Sequence, residues 1–126
     1  MSPEAINYMM MADTALTRGR RAFDAELHED AARHAYLAAL NAARAIVFDK
    51  TMTAPKTHSC TRTKFHDLVH EGLPFEPGLA KFLSEGFDTK QSLDYGPEVI
   101  AVSREQAQDY LNRAAAFVAA AKAVCR

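Results

Sequence analysis

Alanine dominates two stretches of this sequence, and it does so where helix breakers are nearly absent. Of the 126 residues, 24 are alanine, concentrated in residues 5–45 and 107–123, with Gly and Pro almost missing from both. Alanine loses no side-chain entropy on entering a helix, so both stretches favour helix over any other regular structure. The β-like run Val99-Ile100-Ala101-Val102 has no second run to pair with and is expected as extended linker. The fold class expected is therefore all-α. The chain is too short for two ordinary domains, so residues 1–126 should share one core.

Local signals place the helices. Ser2 is an N-cap, Pro3 suits the first helical position, and Glu4 faces the positive end of the dipole. The stripe Ala5, Met9, Ala12, Leu16, Gly19 and Phe23 predicts a first helix ending near Leu27. A second should run from Glu29-Asp30 to Phe48, with Ala32, Tyr36, Ala39, Leu40, Ala43 and Val47 on its core arc. Asp49 to His58 is aperiodic and contains Pro55, which predicts a loop leading to a short helix from Ser59 to Glu71, closed by Gly72. A fourth takes Pro77 in its first turn, turns Leu79, Phe82, Leu83 and Phe87 inward, and stops at Asp94-Tyr95-Gly96-Pro97. Ser103-x-x-Gln106 is a capping box, and helical spacing from Ala107 through Val124 carries a fifth helix to the end.

Charge and motif content exclude several functions. The 15 Lys+Arg balance 16 Asp+Glu, so bulk positive charge does not draw this chain to nucleic acid or anionic lipid. Any RNA contact has to be local. The longest apolar run, Ala114 to Ala121, falls well short of the roughly 20 residues a bilayer requires, and the N-terminus has no basic segment followed by an apolar one. No membrane association is expected, and the cytoplasm is the expected compartment. Cys60 and Cys125 form no CxxC pair, which fits a reducing environment. GxGxxG, GxxxxGK(S/T) and GxSxG are absent, and no cofactor is expected. His66 and His70 have the i, i+4 spacing of two zinc ligands, but no third ligand accompanies them, so no metal is expected.

Three segments carry candidate chemistry. Arg33, His34, Asn41 and Arg44 form a polar stripe along the second helix, with Leu37 between them and the apolar arc opposite. Guanidinium forks suit phosphate oxygens, although a solvated helix face has the same appearance in sequence. Lys56-Thr57-His58-Ser59 puts a cation, an imidazole and two hydroxyls ahead of a helix, as a phosphate nest would; a simple cap at Thr57 or Ser59 gives the same pattern. Lys90-x3-Asp94-Tyr95 brings together a cation for phosphate, a carboxylate that can orient or accept a proton, and a phenol that can stack. An ordinary surface ion pair between Lys90 and Asp94 is the plainer alternative.

Taken in order, these segments resemble a known family. Arg33-His-Ala-Tyr36-Leu-Ala-Ala-Leu-Asn-Ala-Ala-Arg44-Ala is similar to the second-helix signature of small prokaryotic HEPN-domain proteins. Lys56-Thr57-His58 and Lys90-x3-Asp94-Tyr95 fall where those proteins carry Lys-x-His and Arg-x3-Asp-Tyr segments. The resemblance implies an up-and-down bundle of about five helices, usually a homodimer. It also implies a minimal nucleotidyltransferase as partner in a toxin-antitoxin pair. Many members of the wider superfamily are metal-independent ribonucleases whose Arg-x4-6-His motifs meet across a dimer. This chain departs from that motif: Lys90 replaces the Arg, and Asp94-Tyr95 stands where the His would be. Arg21-x6-His28 fits the spacing but belongs to the first helix.

Three functions follow. The first is a HEPN-like partner protein that binds nucleotide or RNA phosphates through Arg33, Arg44, Lys56, His58, Lys90 and Tyr95. The second is an active ribonuclease with His58 or Asp94 as general base and Arg33 or Lys90 stabilising the phosphorane. The third is a non-catalytic helical interaction domain.

Overall fold

The structure, a computed structural model, describes residues 1–96 and 101–125. Five helices form a bundle: α1 (Pro3–Asp24), α2 (His28–Thr51), α3 (His58–His70), α4 (Pro77–Tyr95) and α5 (Arg104–Val124). Among the described residues there is no strand. Pro97, Val99 and Ile100, part of the expected stop and linker, lie outside the described residues, while Ala101 and Val102 are non-helical.

The expected caps hold four of these helices. Ser2 Oγ accepts from the Ala5 amide at 3.2 Å with Pro3 at the first position of α1, and Pro77 opens α4. Ser103 and Gln106 bond reciprocally at 3.1 and 3.0 Å at the start of α5. Gly72, at φ +112°, closes α3 in the left-handed region that glycine enters without strain.

Two boundaries differ from the sequence expectation. α1 ends at Asp24 rather than near Leu27, because Glu26 adopts φ +63° and Leu27 N–H donates back to Ala22 O at 2.8 Å. This is a Schellman ending built without glycine, and it makes His28 the first residue of α2 rather than a trailing residue of α1. α2 runs past Phe48 to Thr51, where the Thr51 hydroxyl bonds Val47 O at 2.7 Å and Met52 caps the helix at φ +58°.

α2 is the axis of the bundle and packs against all four other helices. Thirteen of its 24 residues are buried, from Ala31 to Val47. A helix surfaced so largely by alanine lets neighbours approach on several sides, so its burial extends well beyond the Tyr36, Leu40, Ala43 and Val47 arc. The polar stripe consequently does not lie on a fully exposed face: Arg33, His34, Leu37 and Arg44 are half-buried. Asn41 is 7% exposed, and His34, Leu37, Asn41 and Arg44 form one wall of a groove of about 580 Å³ whose other wall is α1. At the far side Phe65, Phe75 and Phe117 interlock, with ring centroids 4.8 to 5.4 Å apart, and tie α3 to α5. Among the described residues no helix is long and apolar enough to cross a membrane.

Candidate anion-binding site

The second helix and the end of the fourth converge. Arg33, in the second turn of α2, donates from Nε to Asp94 Oδ1 at 2.7 Å and from a terminal nitrogen to Asp30 at 2.6 Å. Lys90 Nζ donates to the other oxygen of Asp94 at 2.6 Å from one turn earlier on α4. Hydrogen bonds from Lys90 and then Arg33 hold the Asp94 carboxyl below its ordinary range, and the Asp94 bond raises the Arg33 guanidinium in turn. Two cations face two carboxylates here, so this cluster is close to neutral.

Nearby the balance changes. His58, the first residue of α3, has its imidazole 6.0 Å from the Tyr36 ring. Burial lowers its pKa, and the positive charges of Arg44, Lys90 and Arg62 lower it further. Arg62 lies one turn along α3 from His58 and sets its guanidinium carbon 3.6 Å from the centroid of the Phe87 ring. Phe87 packs on Tyr36 at 6.0 Å. Arg44 donates weakly to Asn41 at 3.3 Å. Among the described residues no carboxylate pairs with Arg44 or Arg62. The first turn of α3 is also free of acidic residues, leaving its dipole uncompensated.

The remaining expected site residues stand apart. Lys56 is exposed on the α2–α3 connection, and Tyr95 is 77% exposed at the last turn of α4. Thr57 caps α3 by accepting from the Cys60 amide at 2.9 Å. His66 is half-buried and bonds Ser84 Oγ at 3.2 Å rather than turning toward His70.

A profile of the HEPN domain matches residues 7–124, nearly the whole chain. The chain belongs to the HEPN-domain family. A comparison with curated proteins gives no match. In this HEPN domain the sequence segments Arg33 to Arg44, Lys56 to His58 and Lys90 to Tyr95 come from α2, the α2–α3 connection with the first residue of α3, and α4, and the bundle brings Arg33, Lys90 and Asp94 into direct contact.

Two residues of the site carry no ligand role in the sequence reading, which puts Tyr36 on the core arc of the second helix and Arg62 on one face of the third with His66 and His70. Tyr36 has the spacing of a core residue, yet a tyrosine in a core stripe carries a hydroxyl that needs a partner. Arg62 sits four residues after His58, so helical spacing alone places both on one face.

Proposed function

We propose that this HEPN-domain protein is the helical member of a toxin-antitoxin-type pair with a minimal nucleotidyltransferase, that it acts as a homodimer, and that it binds nucleotide or RNA phosphates. The observation that carries the phosphate reading is the excess of cations around His58, where the charges of Arg44, Arg62 and Lys90 meet no equal number of carboxylates. Such a cluster favours an anion, and guanidinium groups suit phosphate oxygens. In this reading Arg44 and His58 contact phosphate directly. Lys90 and Arg33 border the site while shared with Asp94, and exposed Lys56 and Tyr95 supply an outer cation and a stacking face.

Titration of a fluorescent nucleotide or short RNA tests this reading. Affinity should fall with added salt and drop in an Arg44→Ala, Lys90→Ala double variant. Equal affinities for variant and wild type would leave the helical interaction domain as the function. Light scattering tests the dimer, and a monomeric mass at micromolar concentration defeats it.

One observation favours a second reading, the metal-independent ribonuclease. Burial and then the neighbouring cations lower the His58 pKa below its ordinary 6.5, which favours the neutral form a general base needs. RNA cleavage in the presence of a chelator, abolished in His58→Ala, would establish it. Asp94 is less suited to that role, because both its oxygens accept from cations that lower its proton affinity.

A further inference from the structure

Where α2, α3 and α4 meet, three polar atoms are buried without a hydrogen-bond partner among the described residues: the Tyr36 hydroxyl and the Nε atoms of Arg44 and Arg62. Folded chains pair nearly all such groups, so three together call for an explanation. Both Nε–H groups can only donate, and the phenol can donate. The Tyr36 ring lies 6.0 Å from both His58 and Phe87, the Arg62 guanidinium stands over that Phe87 ring, and the charges of Arg44 and Arg62 act on both the Tyr36 hydroxyl and His58.

The locus is built rather than incidental. Tyr36 is 0% exposed. Gly86 lets α4 lie against it, since a Cβ there would stand 3.1 Å from Tyr36 Cδ1. The Phe87 ring supports both Tyr36 and the Arg62 guanidinium, which fixes the donors without consuming them.

We infer that Tyr36, Arg44, Arg62 and His58 form a pocket for one terminal phosphate group, a phosphomonoester rather than an internal phosphodiester. The pocket rests on the phosphate-binding reading above for the source of its ligand. Charge is the first reason. Two guanidiniums without carboxylate partners match a monoester, which carries about −1.5 to −2 at neutral pH, better than a diester with a single charge. Access is the second. A diester carries a substituent on each side, whereas a monoester can enter end-on and offer three free oxygens to donors that lie below the surface, reached when the half-buried Arg44 and Arg62 side chains swing aside.

The experiment uses the full chain and one oligoribonucleotide sequence bearing a 5′-phosphate, a 3′-phosphate or neither, with inorganic phosphate as a separate probe of melting temperature. At least one phosphorylated form should bind roughly tenfold or more tightly than the unphosphorylated form, the order expected of hydrogen bonds to a charged group. Tyr36→Phe keeps the ring and should narrow that ratio several-fold while melting no lower than wild type in phosphate-free buffer. Arg62→Met, at a half-buried position, should narrow it as well and serves if the first variant does not fold. Equal binding of all three oligonucleotides by wild type, with both variants unchanged, overturns the pocket and leaves general phosphate binding intact. A melting-temperature rise with inorganic phosphate that needs Tyr36 and Arg62, without RNA or nucleotide binding, upholds the pocket and overturns the nucleic-acid reading. No response to any probe overturns both.

Discussion

Arg33 and Asp94 lie 61 positions apart in sequence and meet at 2.7 Å, fastening the end of α4 to the second turn of α2. Lys90 closes on the second oxygen of the same carboxylate at 2.6 Å. The HEPN domain thereby holds two charge regimes on neighbouring parts of one surface. Around Asp94 the cations are compensated, and around His58 they are not. Only the second has unspent attraction for an anion.

Asp94→Asn should separate these regimes. The change keeps shape and removes the charge that pairs with Arg33 and Lys90, whose side chains are 31% and 22% exposed. Partly solvated pairs of this kind contribute about 1 kcal/mol or less. Asp94 is depressed below its ordinary 3.8, so its contribution is present above that pH and is lost as pH falls through the folded value. Urea denaturation should show wild type ahead of the variant at pH 7, with the difference closing below pH 3.8. Nucleotide affinity of the variant should rise, because Arg33 and Lys90 lose their internal counterion.

Leu40 tests the axis of the bundle. It is 0% exposed on a helix covered by four others, and truncation to Ala leaves a cavity that neighbours can only partly fill. The expected loss is about 2 to 5 kcal/mol in chemical denaturation. A loss under about 0.5 kcal/mol would contradict its burial.

Most of the fold is legible where one residue type dictates one local geometry. Ser2 and Pro3, Pro77, Gly72, and Ser103 with Gln106 mark helix ends through their own hydrogen bonds or backbone limits, and the structure uses each of them. Glu26 carries no such mark, since nothing local to it announces a left-handed residue, so the periodicity of α1 overruns its observed end at Asp24. The candidate site divides in the same way. Residue types nominate Arg33, Lys90 and Asp94, whereas their meeting depends on how α4 lies against α2. The stripe from His34 to Arg44 was opaque for a further reason: periodicity assigns one buried face, and an alanine-rich helix need not have only one.

Two of the three left-handed helix endings, at Glu26 and Gly72, predict opposite effects of substitution. Glu26→Gly removes the Cβ that the left-handed region disfavours and should stabilise by about 0.5 to 1 kcal/mol, net of the added chain entropy of glycine. Gly72→Ala imposes that penalty where no neighbour lies within 4 Å of the new Cβ, so backbone strain alone should cost roughly 1 to 2 kcal/mol. Thermal melts of the two variants check the pair, and shifts of the same sign would refute the assignment.

His58 supplies the pH prediction. Burial first, then Arg44, Lys90 and Arg62, lowers its folded pKa below the ordinary 6.5. Between that lowered value and 6.5 the unfolded chain binds more protons than the folded one, so stability rises with pH across the window and is lost as pH falls below 6.5. His66 shifts in the same direction and contributes its own share. Wild type should therefore lose more stability than His58→Gln on acidification from pH 7 to below that window, with His66 accounting for what the variant still loses. A phosphate beside the imidazole changes the sign of the local field, because an anion favours the protonated ring that the guanidiniums oppose. In an NMR titration the His58 resonance should move to a higher midpoint when phosphate is added, and the acid-side loss of stability should shrink with it. An unchanged midpoint, alongside demonstrated phosphate binding, would place the anion away from His58 and shift the search to the groove between α1 and α2.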